Sequence, residues 1–253
     1  MSALLNYKLE GQGQTVVLIH GLFGNLDNLG LLSRDLKEDH QVLSIDLRNH
    51  GLSFHSDVHN YQVMAEDIIS LLDHLDLASV ILIGHSMGGK VAMKVTDLAP
   101  HLVMKQIILD MAPVAYHQRK HDNVFAGLTA VSAANLSSRS EVMTTLAEHI
   151  EIDGVRQFLS KSIIKVENTM RWRFNVDSIM NNYLSILDWE PITKSMTPTL
   201  FVKGGDSDYL TADHQADVQS QFSNAKAHVI ANTGHWLHAE KPVEVLRAIR
   251  KFL

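Results

Sequence analysis

The sequence predicts an α/β fold: a mostly parallel central sheet flanked by helices, interrupted by a helical cap. Three observations lead there. Short β-branched runs alternate with amphipathic helical stretches, as in a parallel sheet covered on both faces. The alternation stops at about residue 112, and helical periodicity takes over. It resumes near 189, so residues 1–111 and 189–253 read as one core domain and 112–188 as the cap.

In chain order, residues 16–19 and 41–45 are the first two buried strands. Met64, Ile68, Leu71, Leu72 and Leu75 then recur at helical spacing, with Glu66, Asp67 and Asp73 on other faces. Residues 80–83 form a third strand that runs into Gly84-His85-Ser86. Val91, Val95 and Leu98 mark a helix ending at Pro100, and 106–109 is the fourth strand. In the cap, helices are expected near 117–134, 138–151, 153–165 and 176–187. Ser138 with Glu141 fits a capping box, and Asp153 and Asn175 read as N-caps. A strand at 199–203, a helix near 211–221, a strand at 226–230 and a last helix opened by Pro242 complete the chain.

At 253 residues the chain can bury a large core. Its 45% hydrophobic and 20% charged residues are ordinary for a globular protein. The net charge is −6, and no block of lysine or arginine is present to track a phosphate backbone, which argues against a nucleic-acid partner. The apolar runs at 16–19 and 80–83 are far too short for a membrane span. The first ten residues do not read as a signal peptide, and a cytoplasmic location is the simplest expectation. Without cysteine, disulfides and thiolate chemistry are excluded. No cofactor or metal is expected. Gly11-Gln12-Gly13 has no third glycine at dinucleotide-binding spacing, and His117 with His121 or His235 with His238 forms no zinc motif.

Gly84-His85-Ser86-Met87-Gly88-Gly89 falls between a strand and a helix, the context of a nucleophile elbow. The sharp turn forces the serine into a strained backbone conformation and leaves no room for side chains two residues to either side. It also aims a helix N-terminus at developing negative charge. Ser86 is therefore the expected nucleophile. A serine hydroxyl needs a base, and an imidazole with an ordinary pKa of ~6.5 can accept and return the proton near neutral pH. Of fifteen histidines, His235 stands after the final strand and before the last helix, in the Ser…Asp…His order of such enzymes. Three aspartates at strand ends are candidates for the acid: Asp110, Asp206 and Asp208. Adjacent strands are only ~4.8 Å apart, so either strand's carboxylate could reach the histidine.

Four segments together carry a resemblance: His20-Gly21-Leu22-Phe23-Gly24, Asp46-Leu47-Arg48-Asn49-His50-Gly51-Leu52-Ser53, the Ser86 elbow, and Gly234-His235-Trp236-Leu237-His238-Ala239-Glu240-Lys241-Pro242. They resemble the landmarks of the α/β-hydrolase superfamily. Asn25-Leu26-Asp27-Asn28-Leu29, Gly88-Gly89-Lys90 and Asp110-Met111-Ala112-Pro113 narrow the likeness to YbfF-type bacterial esterases and their mitochondrial relatives. The resemblance implies hydrolysis of a carboxylic ester through a Ser-His-Asp triad and an acyl-enzyme, with an acyl thioester as the alternative substrate. It places the acid in an Asp-x-Ala/Ser-Pro segment, hence Asp110; Ser207, on the turn that carries Asp206 and Asp208, is separately expected to hydrogen-bond the imidazole. It assigns the oxyanion hole to the backbone N–H groups of Met87 and Leu22, with Phe23 the near miss. Dehalogenase and epoxide-hydrolase relatives carry Asp where this chain has Ser86.

The cap's aromatic residues are expected to line an apolar acyl pocket with Phe23, Tyr116, Trp172 and Trp236 among its walls. Arg119, Lys120, Arg171 and Arg173 add positive charge there, able to steer an anionic thioester.

Overall fold

Side chains alternate between two buried faces along each central strand, and this period of two builds the molecule. The computed structural model describes residues 3–253. Its first elements are β1 (Tyr7–Glu10), β2 (Thr15–Ile19), α1 (Gly30–Leu36), β3 (Gln41–Ile45), α2 (Tyr61–His74), β4 (Val80–His85), α3 (Met87–Leu98) and β5 (Val103–Leu109). The insertion holds α4 (Asp122–Ala133), α5 (Arg139–Ala147), α6 (Asp153–Ser160), β6 (Ile163–Val166), β7 (Thr169–Trp172), α7 (Val176–Asn181) and α8 (Tyr183–Leu187). The chain then completes β8 (Thr199–Gly204), α9 (Gln215–Gln221), β9 (Ala225–Ile230), α10 (Leu237–Glu240) and α11 (Pro242–Phe252).

Seven strands form one sheet in the order β1-β3-β2-β4-β5-β8-β9, with only β1 antiparallel to its neighbour. Val17, Ile19, Leu43, Ile45, Leu82, Ile108 and Phe201 face one core. Val16, Leu18, Val42, Ile83, Ile107, Leu109, Leu200 and Val202 face the other. The first face is covered by α2, through Met64, Ile68, Leu71 and Leu72, and by α3, through Val91 and Val95. The second is covered by α1 and α11, through Leu32, Leu36, Val245 and Ile249. Being buried on both faces, the central strands read as continuous apolar runs. The insertion's apolar residues, among them Phe125, Leu146 and Tyr183, join the first core. No described helix is long and apolar enough to cross a membrane.

The departures from the expected elements have local causes. The insertion contains a β-hairpin as well as helices: the expected helix at 153–165 ends at Ser160. There the β-branched pair Ile163-Ile164 enters a strand that turns over Glu167 and Asn168, with Glu167 at φ +55°. The expected helix at 117–134 starts only at Asp122; the chain before it runs through bends and turns, and the Tyr116 N–H is tied to Leu187 O at 2.8 Å. The expected helix at 176–187 divides at Asn182, whose side chain bonds Ser178 O and Asp57 O. Asn175 and Ser138 do cap their helices, accepting from Ser178 N and Glu141 N. The capping box is displaced by one residue, since Glu141 reaches the Ser137 N–H. Asp153 is not an N-cap; it lies inside the first turn and pairs with Arg156 at 2.9 Å. Edge strand β1 and helix α1 are additions to the expected set; β1 is exposed, so it lacks the buried alternation that marks the others.

Every parallel strand points its C-terminal end at one edge of the sheet, where α/β folds hold ligands. The elbow between β4 and α3 depends on closeness of backbones. A Cβ on Gly88 would stand 2.3 Å from Ile19 O and 2.5 Å from His20 O. Gly30, by contrast, lies in the first turn of α1, and a Cβ there would have no neighbour within 4 Å. Gly88→Ala is therefore expected to cost about 2–3 kcal/mol. Gly30→Ala should raise stability by up to about 0.5–1 kcal/mol. Urea denaturation of both variants checks the pair; a tolerated Gly88→Ala would mean the elbow is looser than its contacts imply.

Candidate active site

Ser86 closes β4 and opens α3 with φ +54° and ψ −122°, a conformation that side-chain-bearing residues seldom adopt. Its N–H is tied to Leu109 O at 3.0 Å, and its hydroxyl stands at the floor of a cavity. The His235 Nε2 lies 2.8 Å from Ser86 Oγ, and His235 Nδ1 lies 2.7 Å from Asp110 Oδ2. Asp110, directly after β5, is fully buried and also left-handed at φ +52°. Its Oδ1 accepts the Gly204 N–H at 2.9 Å, and its Oδ2 accepts the Ser207 hydroxyl. Ser207 therefore bonds the carboxylate rather than the imidazole. The rival carboxylates stand elsewhere. Asp208 is 72% exposed at its side chain and pairs with Lys120, whose ammonium lowers its pKa. Asp206 is exposed, and its backbone N–H donates to Thr233 O.

The His235 loop is fixed from several sides. The Gly234 N–H donates to Glu240 at 3.0 Å, and His85 Nε2 bonds the His235 carbonyl at 2.9 Å. Tyr209 stacks on the His235 ring with centroids 3.9 Å apart. Sequence pattern does not single out Tyr209; its place just after β8, beside the candidate acids, is the one signal it offers.

Leu22 and Met87 both line the cavity, and neither backbone N–H has a protein acceptor among the described residues. The Phe23 N–H is unavailable, because it donates to His50 Nε2 at 3.1 Å.

The cavity has a volume of about 780 Å³ and lies between the sheet edge and the insertion. Phe23, Tyr116 and Trp236 line it. Trp172 does not: it sits on β7 with its indole N–H on Leu128 O and its ring stacked on Phe174. The inner walls come from Tyr61, Lys90, Tyr116, Tyr183, Ile186 and Leu187. Three of these turn their polar atoms away to protein partners. Tyr61 donates to Ile186 O at 2.6 Å, Tyr116 to Tyr209 O, and Lys90 to Asp188 O at 3.1 Å. Burial pushes the Lys90 ammonium down to about 7. Arg119 is paired with Asp122, as Lys120 is with Asp208. His121 bonds Tyr183 and His117 is exposed, and among the described residues no cluster of His, Asp or Glu is placed to hold a metal ion.

The sequence profile of the alpha/beta hydrolase fold matches residues 14–242. The protein belongs to that family. Esterase YbfF of Escherichia coli is 47% identical over 238 residues, covering 94% of this chain and 92% of its own. The mouse sn-1-specific diacylglycerol lipase ABHD11 is 32% identical, covering 94% of this chain and 80% of its own. Among solved structures, a marine microorganism esterase superposes with a TM-score of 0.96 at 36% identity over the whole of both chains.

Around this site burial depresses a set of imidazoles: His20, His121 and His238 to about 4, His50 to about 3, and His59 and His85 well below the ordinary value. A group whose folded pKa is lowered binds its proton more readily when unfolded, so acid favours unfolding. Their contribution is intact above pH ~6.5 and is lost as pH falls toward 4, by about 1.4 kcal/mol per pH unit for each ring that stays neutral. Urea midpoints should therefore drop steeply between pH 7.5 and 5. Equal midpoints would show that these rings are not buried neutral.

Proposed function

We propose that this protein hydrolyses carboxylic esters with Ser86 as nucleophile, His235 as general base and acid, and Asp110 as the carboxylate that orients the imidazole and balances its charge. The observation that carries the reading is the unbroken pair of hydrogen bonds from Asp110 through His235 to Ser86, ending in the cavity beside two unpaired N–H groups. The relatives named as esterases support the ester as the substrate bond.

In this mechanism Ser86 Oγ attacks the ester carbonyl while His235 Nε2 takes its proton. The Leu22 and Met87 N–H groups, the latter at the N-terminus of α3, hold the oxyanion of the tetrahedral intermediate. The protonated imidazole gives its proton to the departing alcohol, leaving an acyl-enzyme that water, activated by His235, then cleaves. Asp110 keeps the Nδ1–H tautomer in place and stabilises the imidazolium, and Ser207 and the Gly204 N–H hold Asp110 in turn. The insertion at 112–188 acts as the cap over the pocket. The inner walls present apolar surface, since the Tyr61 and Tyr116 phenols and the Lys90 ammonium are satisfied by protein carbonyls. They suit a short or medium acyl chain. The cationic pairs Arg119–Asp122 and Lys120–Asp208 are already neutralised, which weakens the case for an anionic thioester.

Turnover of p-nitrophenyl esters across acyl lengths tests the assignment. Ser86→Ala should abolish turnover, and Asp110→Asn should lower kcat about 10³–10⁴-fold. Asp208→Asn, which breaks only an exposed ion pair, should stay within a few-fold of the wild type. An active Asp110→Asn would move the acid elsewhere, and a wild type without Ser86-dependent turnover would overturn the esterase reading itself.

A further inference from the structure

Two histidines outside the triad grip the loop that carries the Leu22 N–H. His20 Nδ1 lies 2.8 Å from Gly21 O, and its Nε2 accepts the Leu47 N–H at 3.1 Å. His50 mirrors it: Nδ1 lies 2.9 Å from Arg48 O, and Nε2 accepts the Phe23 N–H at 3.1 Å. Each ring thus carries its proton on Nδ1, donates it to a carbonyl and accepts an amide with the other nitrogen. The segments 20–23 and 47–50 are stitched together twice, with the two rings 5.1 Å apart. Both rings are within 1% of full burial, and burial holds both neutral, as an acceptor nitrogen requires.

The stitch acts on one peptide plane. Gly21 O and Leu22 N belong to the same trans peptide, so fixing the carbonyl in one direction fixes the N–H in the opposite one. The next N–H, that of Phe23, would compete for the site if the loop rotated; instead His50 holds it inward. Phe23 has a left-handed backbone there, φ +61°. His50 does not line the cavity, so it can neither touch a substrate nor exchange protons with one.

We propose that His50, paired with His20, is a positioning residue for the oxyanion hole, holding the 20–23 loop so that the Leu22 N–H and not the Phe23 N–H points at the reacting carbonyl. The inference rests on the ester-hydrolase reading above. A donor displaced by about 1 Å can cost about 10²-fold in rate, which sets the scale expected.

The test compares His50→Leu, which fills the space without an acceptor, with His50→Gln, whose Oε1 can replace Nε2. On a p-nitrophenyl ester, His50→Leu should lower kcat about 10–100-fold with KM within about twofold, and His50→Gln should recover most of the loss at a similar urea midpoint. Unchanged kcat in His50→Leu, equal impairment of both variants, or a loss confined to KM overturns the proposal. Should His50→Leu not fold, ¹⁵N NMR of the wild type decides: Nδ1 protonated and Nε2 bare between about pH 5 and 8 is the expected result, and the opposite tautomer or an imidazolium refutes it. A wild type without Ser86-dependent turnover would refute the esterase reading instead, and the tautomer measurement would still judge the stitch.

Discussion

The site depends on one close approach, that of the α3 N-terminus to the end of β2. Gly88 lies against the carbonyls of Ile19 and His20, and a Cβ on Gly84 would strike Gly88 O at 2.2 Å. Without side chains at these two positions the helix can begin directly beneath the 20–23 loop, bringing the N–H groups of Leu22 and Met87 to one cavity. The cost is concentrated in the backbone. Eight described residues other than glycine have positive φ, and four of them, Phe23, Asn49, Ser86 and Asp110, stand in or beside the site. Strain of this kind persists only where surrounding contacts over-determine it. Here the contacts are the sheet ladder on one side and buried hydrogen bonds on the other.

Those hydrogen bonds explain why so many polar groups lie inside. Asp46 accepts the N–H groups of Leu26 and Leu52, His20 and His50 bridge loops, and Lys90 bonds the Asp188 carbonyl at the end of α8. Each costs desolvation, which is offset only if its partners are placed correctly. On the proposed mechanism the 20–23 loop holds an N–H toward substrate, and such a loop cannot satisfy itself by regular secondary structure. Buried side chains take over that task.

Much of this is legible in the sequence because it rests on local pattern. The buried strands stand out as short β-branched runs, and the Ser86 elbow and the His235 loop as motifs at strand ends. The partner of His235 is less legible: Asp110, Asp206 and Asp208 all follow strands, and only the fold reveals that Asp110 faces inward to the imidazole while Asp208 faces Lys120. What escapes sequence reading is set by tertiary contact. Trp172 has the makings of a pocket wall yet packs on Phe174, because the hairpin of β6 and β7 replaces a helix there. Tyr209, His85 and His50 gain their places from partners far along the chain, which periodicity cannot register.

The order of parts along the chain bears on how the proposed site is assembled. Ser86, Asp110 and the N–H groups of Leu22 and Met87 all lie within the first 110 residues, on adjoining strands and loops. His235 alone is remote, 125 residues from Asp110 and 149 from Ser86. Between them lie the insertion and the strands β8 and β9 at the edge of the sheet. The entropy of closing a loop grows only slowly with its length, but contacts between residues this far apart in sequence are slow to form. Under the proposed mechanism the constellation is complete only with His235 in place, so a chain that stops short of β9 would carry Ser86 and Asp110 without the imidazole that joins them.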